Sequence, residues 1–508
     1  MSLPILSMIL FAPIIGVAVI LCLPQTAGRM IKMVAAGSMW ICFGLSAILF
    51  VNYDWRTGGV QFIEQLAWLP DAGASYSLGV DGISAPLTLL MSVVGLSGIY
   101  SSWRIDKRIK EYFILFLLLV AGVAGAFVAR DLLLFLLFYE VVVIPMYILI
   151  VVWGSTKRVT KEYAGMKLVV YLLIGSGFML AGVFMLYILA NPAGQRTFDM
   201  TALTQIGLSG VIPAEQQIIS FFLMMLGFAT LASMWPFHYW SPDGHAGAPT
   251  AVSMVHAGLL KKLGAYGLLR VGLLMVPVGF KFWAPMMAAF ATVSVIYAAF
   301  ICLTQSDMKY MVGFSSVSHM GYIVIGIATA DVIGLNGAVA NMFAHGIMTA
   351  LFFSMIGHVY NTAHTRDIKD LGGLAHQMPK AAVGFMIAGM ASLGLPGLLS
   401  FVAEFTIFTG TFATYPVVAV VAISGIILTA LYVLRALADA MFGPRLAKWD
   451  SLPDLKAPEM VPLVLLAAFL IGFGMFPSLL MDVINSGIEP MTPLLAKIKT
   501  AATLWGGL

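Results

Sequence analysis

Charge is what this sequence has least of. Asp, Glu, Lys and Arg make up only 10% of its 508 residues, where a soluble domain carries roughly 25%. With 61% hydrophobic residues and a mean hydropathy of +0.98, the chain needs lipid as its solvent. Cysteine is nearly absent too. Cys22, Cys42 and Cys302 stand far apart in apolar runs, which excludes a disulfide framework or a thiolate metal site and leaves them as small buried hydrophobes. No long polar stretch interrupts the chain, and no nucleotide, flavin, iron–sulfur, haem or nucleic-acid motif occurs. A soluble appendage holding a redox cofactor is therefore excluded. Short-period strand alternation is lacking, which leaves helices as the means of satisfying backbone polar groups in lipid.

What is present is a series of apolar runs of about 20 residues, long enough to cross a hydrocarbon core of roughly 30 Å as helix. They predict fourteen spans, at 3–23, 31–52, 82–103, 112–129, 131–153, 163–190, 217–238, 248–275, 280–303, 310–330, 335–360, 381–409, 414–441 and 460–484. The first has no basic residues before it and no convincing cleavage site, so it reads as a retained helix and not a signal peptide. Arg130-Asp131 is the one interruption between 112 and 153 and must be a tight turn at one surface. The loops after odd-numbered spans are basic, from Arg29 and Lys32 through Arg104, Lys107, Arg108 and Lys110 to Arg366, Lys369 and Lys380, whereas those after even-numbered spans carry little. The positive-inside rule puts the basic loops in the cytoplasm and both termini in the periplasm, in a multi-pass protein of the cell's inner membrane. Two spans carry helix breakers at depth, Trp235-Pro236 in the seventh and Gly394-Leu395-Pro396-Gly397 in the twelfth. Both should be discontinuous, and interruptions in corresponding positions point to an internal repeat and to transport sites. The fold class is thus an all-α polytopic membrane protein, a single membrane domain over 1–508.

Against this apolar background the buried ionisable residues stand out. Glu140 lies deep in LLLFLLFYEVVVIPMYILI, where an ionised carboxylate costs roughly 2.5–3.5 kcal/mol even on the lenient insertion scale. It must be protonated, paired or hydrated, and each rescue makes it a titrating group; the alternative is a neutral Glu bridging two helices. Lys167, about one turn inside the sixth span, either snorkels to the surface or pairs with Glu140 on the adjacent span. The eighth span holds His256, Lys261 and Lys262. Adjacent lysines differ by about 100° around a helix, so they cannot share one face. His319 and His345 on successive spans suit a proton wire, though a lone membrane histidine also serves as an interhelical hydrogen bonder. Glu404, eight residues after Pro396, is the second deep carboxylate. The segment PFHYWSPDGHAGAPT, with His238, Asp243 and His245, reads as a packed turn on the cytoplasmic face and not as a metal site.

Eight ordered motifs, GVDGISAPLTLL, YEVVVIPMYILIVVWG, PFHYWSPDGHAGAPTAVSM, AGLLKKLGAYGLLR, DMKYMVGFSSVSHMGY, AHGIMTALFF, HTRDIKDLGGLA and LGLPGLLSFVAEF, resemble the antiporter-like subunits of respiratory complex I, within the Mrp-type antiporter superfamily, and most of all the branch known as chain M. The likeness covers about residues 75–440. It implies fourteen helices with two inverted five-helix repeats, spans four to eight (112–275) and nine to thirteen (280–441), flanked by peripheral helices in 1–103 and a last one at 460–484. It further implies proton translocation driven by quinone reduction elsewhere in the complex. FMN, iron–sulfur clusters and quinone would then sit in partner subunits and none in this chain, which would have no redox site of its own. Its partners would be lipid and the neighbouring membrane-arm subunits, with no nucleic acid.

By the same resemblance Glu140 gates proton uptake, Lys167 is its partner, Lys262 is the eighth-helix lysine, His319 and His345 belong to the central hydrophilic axis, and Glu404 is the twelfth-helix glutamate that chain M has where its relatives carry lysine. One departure is large: aligning on Pro236-Phe237-His238 puts Leu231 where the family has its seventh-helix lysine. The expectation is that this function has moved to Lys261 or Lys262 with His256. On an ideal helix His256 and Lys262 are about 120° apart, so facing one axis together would require a local helix irregularity. The rival readings are a subunit of a Mrp-type cation/proton antiporter or of a membrane-bound hydrogenase-like complex, or a scaffold subunit with degraded pumping.

Overall fold

The computed structural model describes residues 3–190 and 196–500. The extreme termini, whose side of the membrane the sequence puts in the periplasm, lie outside the described residues. Twelve of the described helices are long and apolar enough to cross a membrane. Two further crossings are interrupted: residues 250–273, and the pair Pro379–Ser392 and Leu399–Thr414. Together they give the fourteen spans of a multi-pass membrane protein. The spans are numbered accordingly, with span 5 Leu132–Trp153, span 6 Lys161–Leu189, span 10 Met308–Ala328, span 11 Val332–Ala363 and span 14 Ala457–Met475.

Helix starts are fixed by polar side chains at the ends of apolar runs. Asp131, Thr160, Asp307 and Asp331 each accept hydrogen bonds from backbone N–H groups of the first turn of spans 5, 6, 10 and 11, satisfying donors that lipid could not. Asp131 thereby makes the tight turn between spans 4 and 5. Span 11 is the core of the molecule: its most apolar stretch is 100% buried, packed by spans 3, 8, 10, 12 and 14. Spans 2, 6, 13 and 14 are peripheral and turn Leu, Ile, Val and Phe side chains outward.

The chain is predominantly helical, as expected, with one small sheet added. Between spans 2 and 3 the chain forms an antiparallel hairpin, Gln61–Leu69 with Ala74–Val80. Its turn requires Gly73, which has φ +68° and sits where a Cβ would strike the Arg196 carbonyl. The hairpin has a structural use. Glu64 accepts hydrogen bonds from the N–H groups of Leu6 (2.7 Å) and Ser7 (3.0 Å), supplying a cap that helix Ile5–Cys22 lacks.

Both expected breaks are present. The seventh span runs as helix Ala214–Leu231, passes through the cis bond Trp235-Pro236 and resumes as Trp240–Gly247. The twelfth breaks between Ser392 and Leu399, where Gly394 (φ +65°) and Gly397 (φ +94°) take left-handed conformations. Span 8, where His256 and Lys262 could face one axis only through a local irregularity, is irregular. Two π-helical segments, His256–Leu260 and Leu268–Leu273, flank the α-turns of Lys261–Gly267. The segment expected to be a packed surface turn is instead the buried helix Trp240–Gly247, wedged against spans 6 and 10.

Candidate functional site

The two adjacent lysines that follow the π-helical segment 256–260 reach different partners, as neighbours about 100° apart on a helix must. Both are fully buried. Lys261 donates to the Ser316 hydroxyl of span 10 at 3.0 Å. Lys262 lies 2.9 Å from His345 Nδ1 of span 11 and also donates to the Ala257 carbonyl. The His345 and His319 rings stack with centroids 5.4 Å apart. His319 Nδ1 is 3.1 Å from Glu404 Oε1, and its Nε2 is 3.0 Å from the Ser392 hydroxyl at the lip of the break in span 12. Glu404 is 3% exposed, and its carboxylate fills the space that glycine leaves open at 394, since a Cβ there would come to 2.9 Å of Oε2. Lys262, His345, His319 and Glu404 therefore form one buried row. Its base, two imidazoles and carboxylate are groups that can hold or pass a proton.

The other half of the site is arranged differently from the expectation. Lys167 does not pair with Glu140. Its ammonium is 2.6 Å from Asp243 Oδ2, and Asp243 Oδ1 accepts the Tyr310 hydroxyl at 2.7 Å. The reason is depth. Glu140 lies beside the Ser176 hydroxyl, nine residues along span 6 from Lys167, or about 13 Å at 1.5 Å per residue. Glu140 is half-buried, and its Oε1 has no hydrogen-bond partner in the chain. It sits among Leu137, Val141 and Ile144, which face outward.

His256 is joined to this region by ring contacts. It is sandwiched between Trp240 (4.9 Å) and His245 (3.8 Å). The ring nitrogens of His238, His245 and His256 are all buried without a hydrogen-bond partner in the chain. Buried polar atoms of this kind are ordinarily satisfied by ordered water. Leu231, where the resembled family has lysine, is the buried last residue of its helix. Segment 261–267 packs on that helix end: a Cβ at Gly264 would meet Phe228 O and Ala232 N.

Sequence reasoning missed Asp243, Tyr310, Ser316 and Ser392 as partners. Asp243 alone had a signal, a carboxylate in a chain with few, set aside because Pro and Gly around it read as a surface turn. It also missed Asp81 and Arg270, an ion pair that closes the far end of span 8, with Arg130 at 3.8 Å. Burial raises the Asp81 carboxyl's pKa, but the charges of Arg270 and Arg130 outweigh it and hold the group below its ordinary 3.8. Among the described residues no cluster of His, Cys, Asp and Glu is placed to hold a metal ion.

The family described as NADH:quinone oxidoreductase/Mrp antiporter, TM matches residues 129–429. The chain is 36% identical to NADH-quinone oxidoreductase subunit M of Rhodobacter capsulatus over 497 residues, covering 95% of each. It is 35% identical to F(420)H(2) dehydrogenase subunit M of Methanosarcina mazei over 502 residues, covering 97% of this chain and 99% of that one. Among solved structures, a chain of respiratory complex I from Thermus thermophilus superposes with a TM-score of 0.87 at 26% identity, over 97% of this chain and 99% of that one. With a family match over more than half its length, and relatives of this identity spanning nearly all of it, the chain belongs to the NADH:quinone oxidoreductase/Mrp antiporter transmembrane family.

Proposed function

We propose that this chain is a proton-translocating membrane-arm subunit of a quinone-reducing respiratory complex, in which the buried row from Lys262 to Glu404 carries protons. The observation that supports this reading is the row itself: base, imidazole, imidazole, carboxylate, in sequence, with contacts of 2.9, 5.4 and 3.1 Å. An isolated structural polar residue needs one partner. A succession that starts at the π-bulged span 8 and ends at the break of span 12 is what a relay requires.

Lys261 takes the place of the lysine absent at Leu231. Its segment lies against the end of the seventh-span helix, and its ammonium is directed to Ser316. The sequence carries no redox-cofactor motif, and in this reading the driving force is electrostatic and comes from partner subunits that hold FMN, iron–sulfur clusters and quinone. Moving one charge across 100 mV takes about 2.3 kcal/mol, and making or breaking one low-dielectric ion pair is of that size. Lys167–Asp243 is the pair with the right placement. Arrival of charge near it releases Lys167, and the change passes through His238, His245 and His256 to the lysines. Glu140, on the outward face at depth, is where a neighbouring antiporter-like subunit signals to this one.

The two broken crossings then belong to two inverted five-helix units, 112–275 and 280–441, with the basic loops in the cytoplasm of an inner-membrane complex. The test is reconstitution of the assembled complex in proteoliposomes. Lys262→Ala and Lys261→Ala are each expected to abolish quinone-linked internal acidification while leaving assembly intact. Wild-type acidification in Lys262→Ala refutes the relay, and wild-type acidification in Lys261→Ala alone refutes the relocated lysine. The subunits that co-purify decide between an NADH-linked and another electron donor.

A further inference from the structure

A relay needs a place where protons are taken up, and the charged groups of span 8 are buried well inside the molecule. Two adjoining cavities open the basic-loop end of that span. The larger, about 210 Å³, is bounded by residues 248–251 at the start of span 8 and by Ser101, Ser155, Lys309 and Asn361. The smaller, about 20 Å³, has room for roughly one water and lies against Arg104, His358 and Glu459. Ser101, Arg104, Thr250 and Asn361 line both.

The chemistry at the smaller cavity is specific. His358, on span 11, is 5% exposed. Its Nε2 is 3.3 Å from the Pro453 carbonyl, an acceptor only, so Nε2 carries the hydrogen and donates it. That leaves a lone pair on Nδ1, which is buried with no hydrogen bond to the chain and stands 3.6 Å from Glu459 Oε2. Glu459 is anchored on both oxygens: Arg104 Nε is 2.5 Å from Oε1, and the backbone N–H of Lys456 donates to Oε2 at 3.0 Å. Asp454, which accepts from the N–H groups of Lys380 and Ala381, is the remaining charge near His358. His358 thus has one ring nitrogen fixed and the other free of chain partners beside the Glu459 carboxyl, in the wall of a cavity with room for a water, so that nitrogen is placed to exchange a proton with water.

Further polar groups lie inward from the cavities. Lys309 donates to the Ala248 carbonyl at 2.7 Å. Ser253 donates to the His245 carbonyl at 3.1 Å, and the His245 ring stacks at 3.8 Å on His256. Both rings are fully buried, with nitrogens free of bonds to the chain.

We propose that Arg104, His358 and Glu459, with these two cavities, form the inlet through which the relay takes up protons from the basic-loop side. His358 Nδ1 accepts a proton from water there and the imidazolium rests beside the Glu459 carboxylate. The same nitrogen then returns the proton to water in the smaller cavity, from which it crosses the shared wall of Ser101, Thr250 and Asn361 to water in the larger cavity and on toward His245 and His256. Arg104 positions Glu459 and does not itself exchange protons. This inference rests on the relay reading given above.

Two measurements on the assembled complex in sealed vesicles test it. Cys22, unlike Cys42 and Cys302, is exposed and not the buried hydrophobe expected, so on a Cys22→Ser background Asn361→Cys should react with a membrane-impermeant maleimide added on the basic-loop side; failure to react from that side overturns the inlet. His358→Gln should slow proton translocation several-fold, and more at about pH 8.5 than at about pH 6, because a protonatable imidazole matters most when protons are scarce. Equal, wild-type rates at both pH values overturn it. Lys262→Ala in the same vesicles separates the two claims. Loss of translocation in Lys262→Ala but not in His358→Gln defeats the inlet alone, and wild-type translocation in both defeats the relay beneath it.

Discussion

Lys167 shows how one side chain's partner follows from depth. It sits near the start of span 6 and Glu140 near the middle of span 5, so the two are not level; the helix Trp240–Gly247 supplies a carboxylate at the depth of Lys167 instead, Asp243 at 2.6 Å. Which carboxylate meets an ammonium is a tertiary fact, and no periodicity in the sequence encodes it. Asp243→Asn should therefore remove a charge-assisted contact of about 2 kcal/mol, lower thermal stability in detergent, and impair translocation together with Lys167→Ala. Glu140→Gln, which keeps the neighbouring Ser176 contact, should leave stability unchanged. A stability loss in Glu140→Gln as large as that in Asp243→Asn would restore the pairing read from sequence. By contrast, Glu404 and His319 were legible as residues because a charge or imidazole in an apolar run is costly wherever it points.

Broken elements carry the site. The sequence announces two of them through Pro and Gly, at Trp235-Pro236 and at 394–397, and the structure has both. It does not announce the π-helical segments of span 8, since His256–Leu260 contains no breaker that differs from ordinary helix; only the need to aim His256 and Lys262 inward hinted at them. At Gly394 the left-handed φ of +65° and the 2.9 Å approach of Glu404 Oε2 act together. Gly394→Ala should cost about 1–2 kcal/mol in backbone strain, push Glu404 off His319, and depress translocation with the subunit still assembled. Unchanged translocation would show that the break does not place Glu404. The far end of span 8 is held by Asp81. Asp81→Asn leaves Arg270, 4% exposed, without its carboxylate, a loss of about 3–5 kcal/mol. Because the folded Asp81 pKa lies below 3.8, its contribution is full above that pH and is lost as pH falls through the folded value. The acid limb of thermal stability should therefore flatten in Asp81→Asn, and an unaltered acid limb would contradict the assignment.

At the scale of the whole molecule the count and the alternation of basic loops were readable, because lipid imposes length and charge rules on every crossing. The hairpin of Gln61–Leu69 with Ala74–Val80 was not, being a connection between crossings and so outside those rules. The same long-range packing that hid individual pairs creates the row: span 11, enclosed on all sides, offers His345 to span 8, and span 10 offers His319 to span 12. If these groups conduct in series, cutting one link should be as damaging as cutting two. The most direct test is the rate of quinone-linked acidification in proteoliposomes carrying the assembled complex with Lys262→Ala, Glu404→Gln and both together. The account expects each single variant to lose acidification and the double to be no worse than either. Singles that retain most of the rate, with losses that multiply in the double variant, would mean that Lys262 and Glu404 do not lie on one path.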